Sequence, residues 1–242
     1  MLTGDTPAIA AGGRPESAAS NAAENFGLGL ISNHTVVGWG DDSLGQTNVP
    51  DVSFKSIAAG STFGLGVTTE GGIVGWGQDG SGETNVPAPP TGSRYTAVAA
   101  GLDFGLGLLS DGTVVGWGDN SCGETTVPAP PVGQTYTAVA AGECTSLGLL
   151  SNGTVVGWGF TSSGETSPPS PPAGTRFITI SAGAFFALGL LSIGRAEGWG
   201  ATYFGETGVP ALPENGRYVA IAAGHAHGLA ILRTRPRPDW AP

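Results

Sequence analysis

A phased repeat constrains this chain more than any other feature. Five Gly-Trp-Gly segments centre on Trp39, Trp76, Trp117, Trp158 and Trp199, spaced by 37, 41, 41 and 41 residues. An Ala-Ala-Gly or Ser-Ala-Gly marker ends at Gly60, Gly101, Gly142, Gly183 and Gly224, always 41 residues apart. A third marker, Gly-(Gln/Glu)-Thr, starts at Gly45, Gly82, Gly123, Gly164 and Gly205. The one short spacing has a local cause. Pro50 to Gly60 is ten residues where Pro87 to Gly101 is fourteen, so four residues are missing from one proline-rich loop.

Each unit reads as four short strands. The first is like Tyr95–Ala100, the second like Phe104–Leu109, the third like Thr113–Gly118, and the fourth lies around Glu124–Val127. Asp111-Gly112 and Asn152-Gly153 are tight-hairpin dipeptides that accept positive φ. The PAPPTG and PAPPVG segments lack donors for a ladder, so they are the loops between units. Strand alternation puts Phe104, Leu106 and Leu108 on one face and Gly105 and Gly107 on the other, where a neighbouring sheet can come close. Val115 and Trp117 likewise share a face.

A period near 41 with four strands per unit suits a propeller blade, its Trp and Leu faces buried between blades. The expected fold class is all-β, a β-propeller of about six four-stranded blades. Ala8–Gly12 supplies the first strand of the first unit, and about eleven extra residues (GRPESAASNAA) precede Phe26. The last unit stops after two strands, at Leu232. Six first–second pairs therefore accompany five third–fourth pairs, which leaves the ring incompletely closed or part of a longer, self-associating array. The expected division is 1–25 for the first strand and an irregular insertion, 26–232 for the repeats, and 233–242 for a flexible tail.

Composition narrows the function classes. Gly (43 residues) and Pro (18 residues) recur at fixed phase between apolar strands, so they mark turns rather than disorder. Charged residues make up 12%, against ~25% in ordinary soluble domains. A net charge of −10 with Lys55 as the sole lysine offers no basic surface for phosphates, which excludes nucleic acid as a partner. No apolar run is long enough to span a membrane. The start, MLTGDTPAIAAGG, has neither the basic residues nor the apolar segment of a secretory signal. The expectation is a soluble protein, its compartment left open between cytoplasm and exterior.

The stretch AAGLDFGLGLLSDGTVVGWGDNSCGET, Ala99–Thr125, resembles the repeat of the regulator of chromosome condensation family. That pattern is roughly A-A-G-x-x-H-[ST]-x-A-L-x-x-D-G-x-V-x-x-W-G-x-N-x-x-G-Q, and the resemblance runs from about residue 7 to 232. The TNVP and TTVP ends look most like short bacterial versions, a group that includes secreted propeller-type inhibitors of β-lactamase. The chain departs from the pattern at its His, which is Phe63, Phe104, Thr145 and Phe186 here and is kept only as His227. The Gln survives as Gln46 and becomes Glu83, Glu124, Glu165 and Glu206. The eukaryotic member exchanges nucleotide on a small GTPase and docks on nucleosomes. No exchange wedge or basic tail can be placed on this sequence, and so few Lys and Arg residues argue against a nucleosome role.

A residue that recurs in every unit serves folding. This applies to the five tryptophans and to the four glutamates, which are expected to bond local backbone amides in a turn. His225 and His227 share a strand face and could reach one metal, but no third ligand stands at suggestive spacing and His227 fills the family's structural position. No metal and no cofactor is therefore expected. Cys122 and Cys144 fall on one face of adjacent blades. A disulfide between them needs Cα atoms within ~7 Å, and the sequence leaves open both that bond and two small buried thiols. No Ser-His-Asp order, phosphate loop or dinucleotide fingerprint stands out, so no catalytic residue is assigned.

Function sits where units differ, in loops carried by a rigid scaffold. The third–fourth loops read DDSL, QDGS, DNSC, FTSS and ATYF, and the first–second loops ST, LD, EC, AF and HA. Up-and-down strands put both sets on one face. That face gathers Phe160, Phe185, Tyr203, Phe204 and His225, flanked by Asp41, Asp42, Asp79, Asp119 and Glu143. Such clusters mark protein-binding surfaces, though the rings could instead cover blade ends or plug the opening. The expectation is a non-catalytic protein-interaction module, inhibitor-like or a surface binder, with a protein partner. The alternatives are an exchange-factor-like regulator, by family analogy, and a glycan-acting enzyme or lectin that uses the ring opening.

Overall fold

A computed structural model describes residues 8–13 and 25–234. Residues 14–24 of the expected insertion, and residues 235–242 of the expected tail, lie outside them. All regular structure among the described residues is β. No helix there is long and apolar enough to cross a membrane.

The first sheet joins β1 (Ala8–Gly12), β2 (Phe26–Leu30) and β3 (Val36–Gly40). The second joins β4 (Phe54–Ala59), β5 (Phe63–Thr68) and β6 (Ile73–Gly77), and the third β7 (Tyr95–Ala100), β8 (Phe104–Leu109) and β9 (Val114–Gly118). The fourth joins β10 (Tyr136–Ala141), β11 (Thr145–Leu150) and β12 (Val155–Gly159). The fifth joins β13 (Phe177–Ala182), β14 (Phe186–Leu191) and β15 (Ala196–Gly200), and the sixth, among the described residues, pairs β16 (Gly216–Ala223) with β17 (Gly228–Thr234). Every sheet is an antiparallel meander in chain order. Successive first strands lie side by side, and the Ala-Gly ends of all six line one cavity.

The expected fourth strand is absent, which corrects four-stranded blades to three. Two causes compete with a ladder in the segment after Gly-(Gln/Glu)-Thr. Turn bonds use its amides: Thr126 N–H donates to the Gly123 carbonyl at 3.1 Å, and Val127 N–H to the Thr125 carbonyl at 3.0 Å. The segment also crosses over the third strand instead of running beside it. A Cβ on Gly116 would meet the Thr125 carbonyl oxygen at 2.7 Å, and the same Thr backbone lies on Gly38, Gly75, Gly157 and Gly198. The first Gly of each Gly-Trp-Gly is thus the floor for the fourth segment.

The second strand's glycines have a second reason beside the one expected. A Cβ on Gly105 would strike the Trp117 ring at 2.4 Å, and one on Gly107 the Tyr95 ring at 2.4 Å. The neighbouring sheet comes close as well, with Leu65 at 2.9 Å from the first position and Ile73 at 3.2 Å from the second. Tyr95 and Trp117 meet edge-on at 6.4 Å, and Phe54–Trp76, Tyr136–Trp158 and Phe177–Trp199 repeat the pair. Each such pair contributes about 0.5–1.5 kcal/mol beyond its burial.

Four tryptophans also tie one unit to the next. The indole N–H of Trp76 donates to the Gln46 carbonyl at 2.9 Å, Trp117 to Glu83 at 2.8 Å, Trp158 to Glu124 at 2.7 Å and Trp199 to Glu165 at 2.9 Å. These four are buried among the Phe and Leu side chains of the preceding unit, as expected. Trp39, in the first unit, is 50% exposed. A cavity lined by Leu188, Glu206 and Gly228 lies beside the last of the described sheets.

Candidate partner-binding face

The loops between first and second strands, and those after third strands, are held together by the backbone. Asp41 N–H donates to the Asn25 carbonyl, Gln78 to Thr62, Asp119 to Asp103, Phe160 to Cys144 and Ala201 to Phe185, all at 2.8–3.1 Å. Neighbouring units are also linked here. Ser61 N–H donates to the Leu102 carbonyl, Leu102 to Glu143 and Ala184 to His225. The variable loops of five units therefore form one face over the end of the central cavity.

The late units present their aromatics on this face. Phe160 and Phe185 are exposed by 44% and 40%, and Tyr203 and Phe204 by 78% and 80%. None of the four lies in the core. His225 pairs with a carboxylate of the fourth unit's first–second loop: its Nδ1 lies 3.1 Å from Glu143 Oε1.

The acidic residues divide by role. Asp41 accepts bonds from the Ser43 hydroxyl at 2.8 Å and the Gln46 amide at 2.6 Å. Asp119 accepts from the Ser121 hydroxyl at 2.7 Å and from the Asn120 and Ser121 amides. Those bonds, the Ser121 hydroxyl first, hold the Asp119 carboxyl below its ordinary value. Asp42 and Asp79 each cap an amide five residues on, Thr47 and Thr84. These carboxylates shape their own loops, a role that spacing alone did not reveal.

The repeated Glu/Gln position behaves as the sequence implies. The side chains of Gln46, Glu83, Glu124 and Glu165 are buried, and each accepts the backbone N–H two residues earlier, as Glu206 also does from Phe204. The His-x-His pair splits between two jobs. His227 packs on Gly224 as the rings of Phe63 and Phe104 pack on Gly60 and Gly101, while His225 meets Glu143.

Cys122 and Cys144 are free, half-buried thiols. Their sulfurs and the Glu124 carboxylate all lie within 4.8 Å of one another. Burial, and then the Cys122 thiol beside it, pushes the Cys144 thiol up to about 12. Sequence reasoning missed Glu124 here because its repeat phase marked it as a turn residue. The available signal was that this unit alone has a Cys in front of its Gly-Glu-Thr.

Six small antiparallel sheets beside a shared cavity, with their variable loops on one face, define a propeller-like repeat protein. The regulator of chromosome condensation (RCC1) repeat matches residues 54–83, 95–124 and 136–165. Three successive units of this chain thus match that family's repeat. A comparison with curated proteins gives no significant match. Among solved structures, human WBSCR16 is similar over 86% of this chain and 70% of its own, at 18% identity and a TM-score of 0.73. Prp20p of Saccharomyces cerevisiae is similar over 88% and 68%, at 18% identity and a TM-score of 0.71. The ectodomain of the Physcomitrella patens receptor kinase CR4 is similar over 89% and 57%, at 25% identity and a TM-score of 0.70.

Proposed function

We propose that this chain is a non-catalytic protein-binding module that engages its partner with the aromatic loops of its late units. One observation carries the reading: every large side chain that recurs in phase is spent on the scaffold, whereas Phe160, Phe185, Tyr203 and Phe204 occur once each, on one face, exposed. Clustered exposed aromatics supply contact area at little cost in ordering. Most acidic residues of the face are bound to their own loops, so affinity comes from the rings and charge sets orientation. The yeast relative, solved with Kap60 bound and studied for its binding to Gsp1p and histones, supports a protein as the class of partner. The six sheets are read as blades of one propeller, which puts this face at the ring's rim.

The test is a double variant, Phe160→Ser with Tyr203→Ser. Both side chains are largely outside the core, so Tm should stay within a few degrees of wild type. Partner capture from the native host should be lost. A large fall in Tm would show that the rings support the fold instead. Nucleotide release from a small GTPase should be unchanged by the protein, and acceleration would favour the exchange-factor alternative.

A further inference from the structure

The only two cysteines of the chain converge across one inter-unit step. Cys122 precedes Gly123-Glu124 in the third unit, and Cys144 sits between β10 and β11 of the fourth. Other units place Leu44, Ser81, Ser163 and Phe204 where Cys122 stands, and Thr62, Asp103, Phe185 and Ala226 where Cys144 stands. Sulfur on both sides of a buried carboxylate therefore occurs at this step alone.

We propose that Cys122, Cys144 and Glu124 form a binding site for a thiophilic divalent cation of the zinc and cadmium class. Two thiolates and a carboxylate select such an ion over magnesium or calcium, which take oxygen ligands. Three protein ligands leave a fourth tetrahedral position for water or for a group on a partner. Binding is an exchange without electron transfer. Each thiol gives up one proton, two metal–sulfur bonds form, and two protons leave to solvent.

The site is held in place before any ion arrives. The Glu124 carbonyl accepts the Trp158 indole N–H at 2.7 Å and the Ser146 hydroxyl at 2.7 Å. Glu124 Oε2 accepts the Cys122 N–H at 2.8 Å. The Cys144 carbonyl accepts the Phe160 N–H at 2.9 Å. Both ligand loops are thus fixed by bonds that do not use the ligand sulfurs, the kind of outer support that metal sites need. The carboxylate's turn role also needs no charge, since Gln46 performs it in the first unit with its Oε1.

The repeat supplies the controls for the test. The protein is kept reduced with a phosphine and titrated with Cd2+, following thiolate-to-metal charge-transfer absorption, with Zn2+ as competitor. One equivalent should saturate the band and raise Tm. Cys122→Ser and Cys144→Ser should each abolish saturable one-to-one binding, and their folds should hold because Ser81, Ser163 and Thr62 stand at these positions elsewhere. Glu124→Gln should weaken binding at least about tenfold, while Glu83→Gln, the same change one unit earlier, should leave it unchanged. No saturation at one equivalent, a band that survives the Cys→Ser changes, or equal affinity in Glu124→Gln and Glu83→Gln would overturn the site.

Discussion

At the scale of single residues, the same side chain type carries different weight according to its place in the series. Trp117 is buried and bonds the Glu83 carbonyl, whereas Trp39 is half exposed in the first unit. Trp117→Ala should cost about 3–5 kcal/mol and Trp39→Ala less than about 1 kcal/mol, measured by urea unfolding. The buried Glu83 offers a second contrast. Glu83→Ala removes the acceptor of the Ser81 N–H and should cost about 1–3 kcal/mol. Glu83→Gln, which copies Gln46, should be nearly neutral. Cys144 adds a pH dependence. Its thiol is raised from 9.0 to about 12, so the folded chain keeps a proton that the unfolded chain releases first. The stability it contributes is complete below about pH 9 and is lost as pH rises toward about 12. Metal-free wild type should therefore lose more stability than Cys144→Ser between about pH 8 and pH 11. A wild type no more pH-sensitive than that variant would contradict the buried, protonated thiol.

At the scale of elements, the repeat phase made three of the four expected strands legible. The first and second strands of the third unit match β7 and β8, and the third matches β9 apart from its first residue. The fourth was not legible, because Glu-Thr-Thr-Val reads locally as β-branched strand. Its fate is decided by a contact across the unit, the Thr125 backbone lying on Gly116. Gly116→Ala should accordingly cost about 1–3 kcal/mol, since the clash is with backbone that cannot swing aside. Trp240 stands 41 residues after Trp199, the repeat interval, but in Asp-Trp-Ala rather than Gly-Trp-Gly, and it lies outside the described residues. The loop aromatics were legible as exceptions to the repeat. The loop-capping of Asp41 and Asp119 was not, because it depends on side-chain direction within a tight turn.

At the scale of the whole molecule, division of labour follows from repetition. Inter-unit indole bonds and aromatic pairs recur in the second to fifth units and buried Glu or Gln caps in the first five, so they build the scaffold and leave the loops free to differ. The loops of one face then carry what is particular to this chain: the late aromatics, the Glu143–His225 pair and the thiol pair. The most direct test of that account is site-specific photo-cross-linking in native host extract. Benzoylphenylalanine is placed at Tyr203 on the aromatic face, and separately at Val132, a fully exposed residue in a loop between units. Position 203 should give one dominant cross-linked protein, and position 132 none of it. The same protein captured from position 132 alone would contradict the assignment of the binding face.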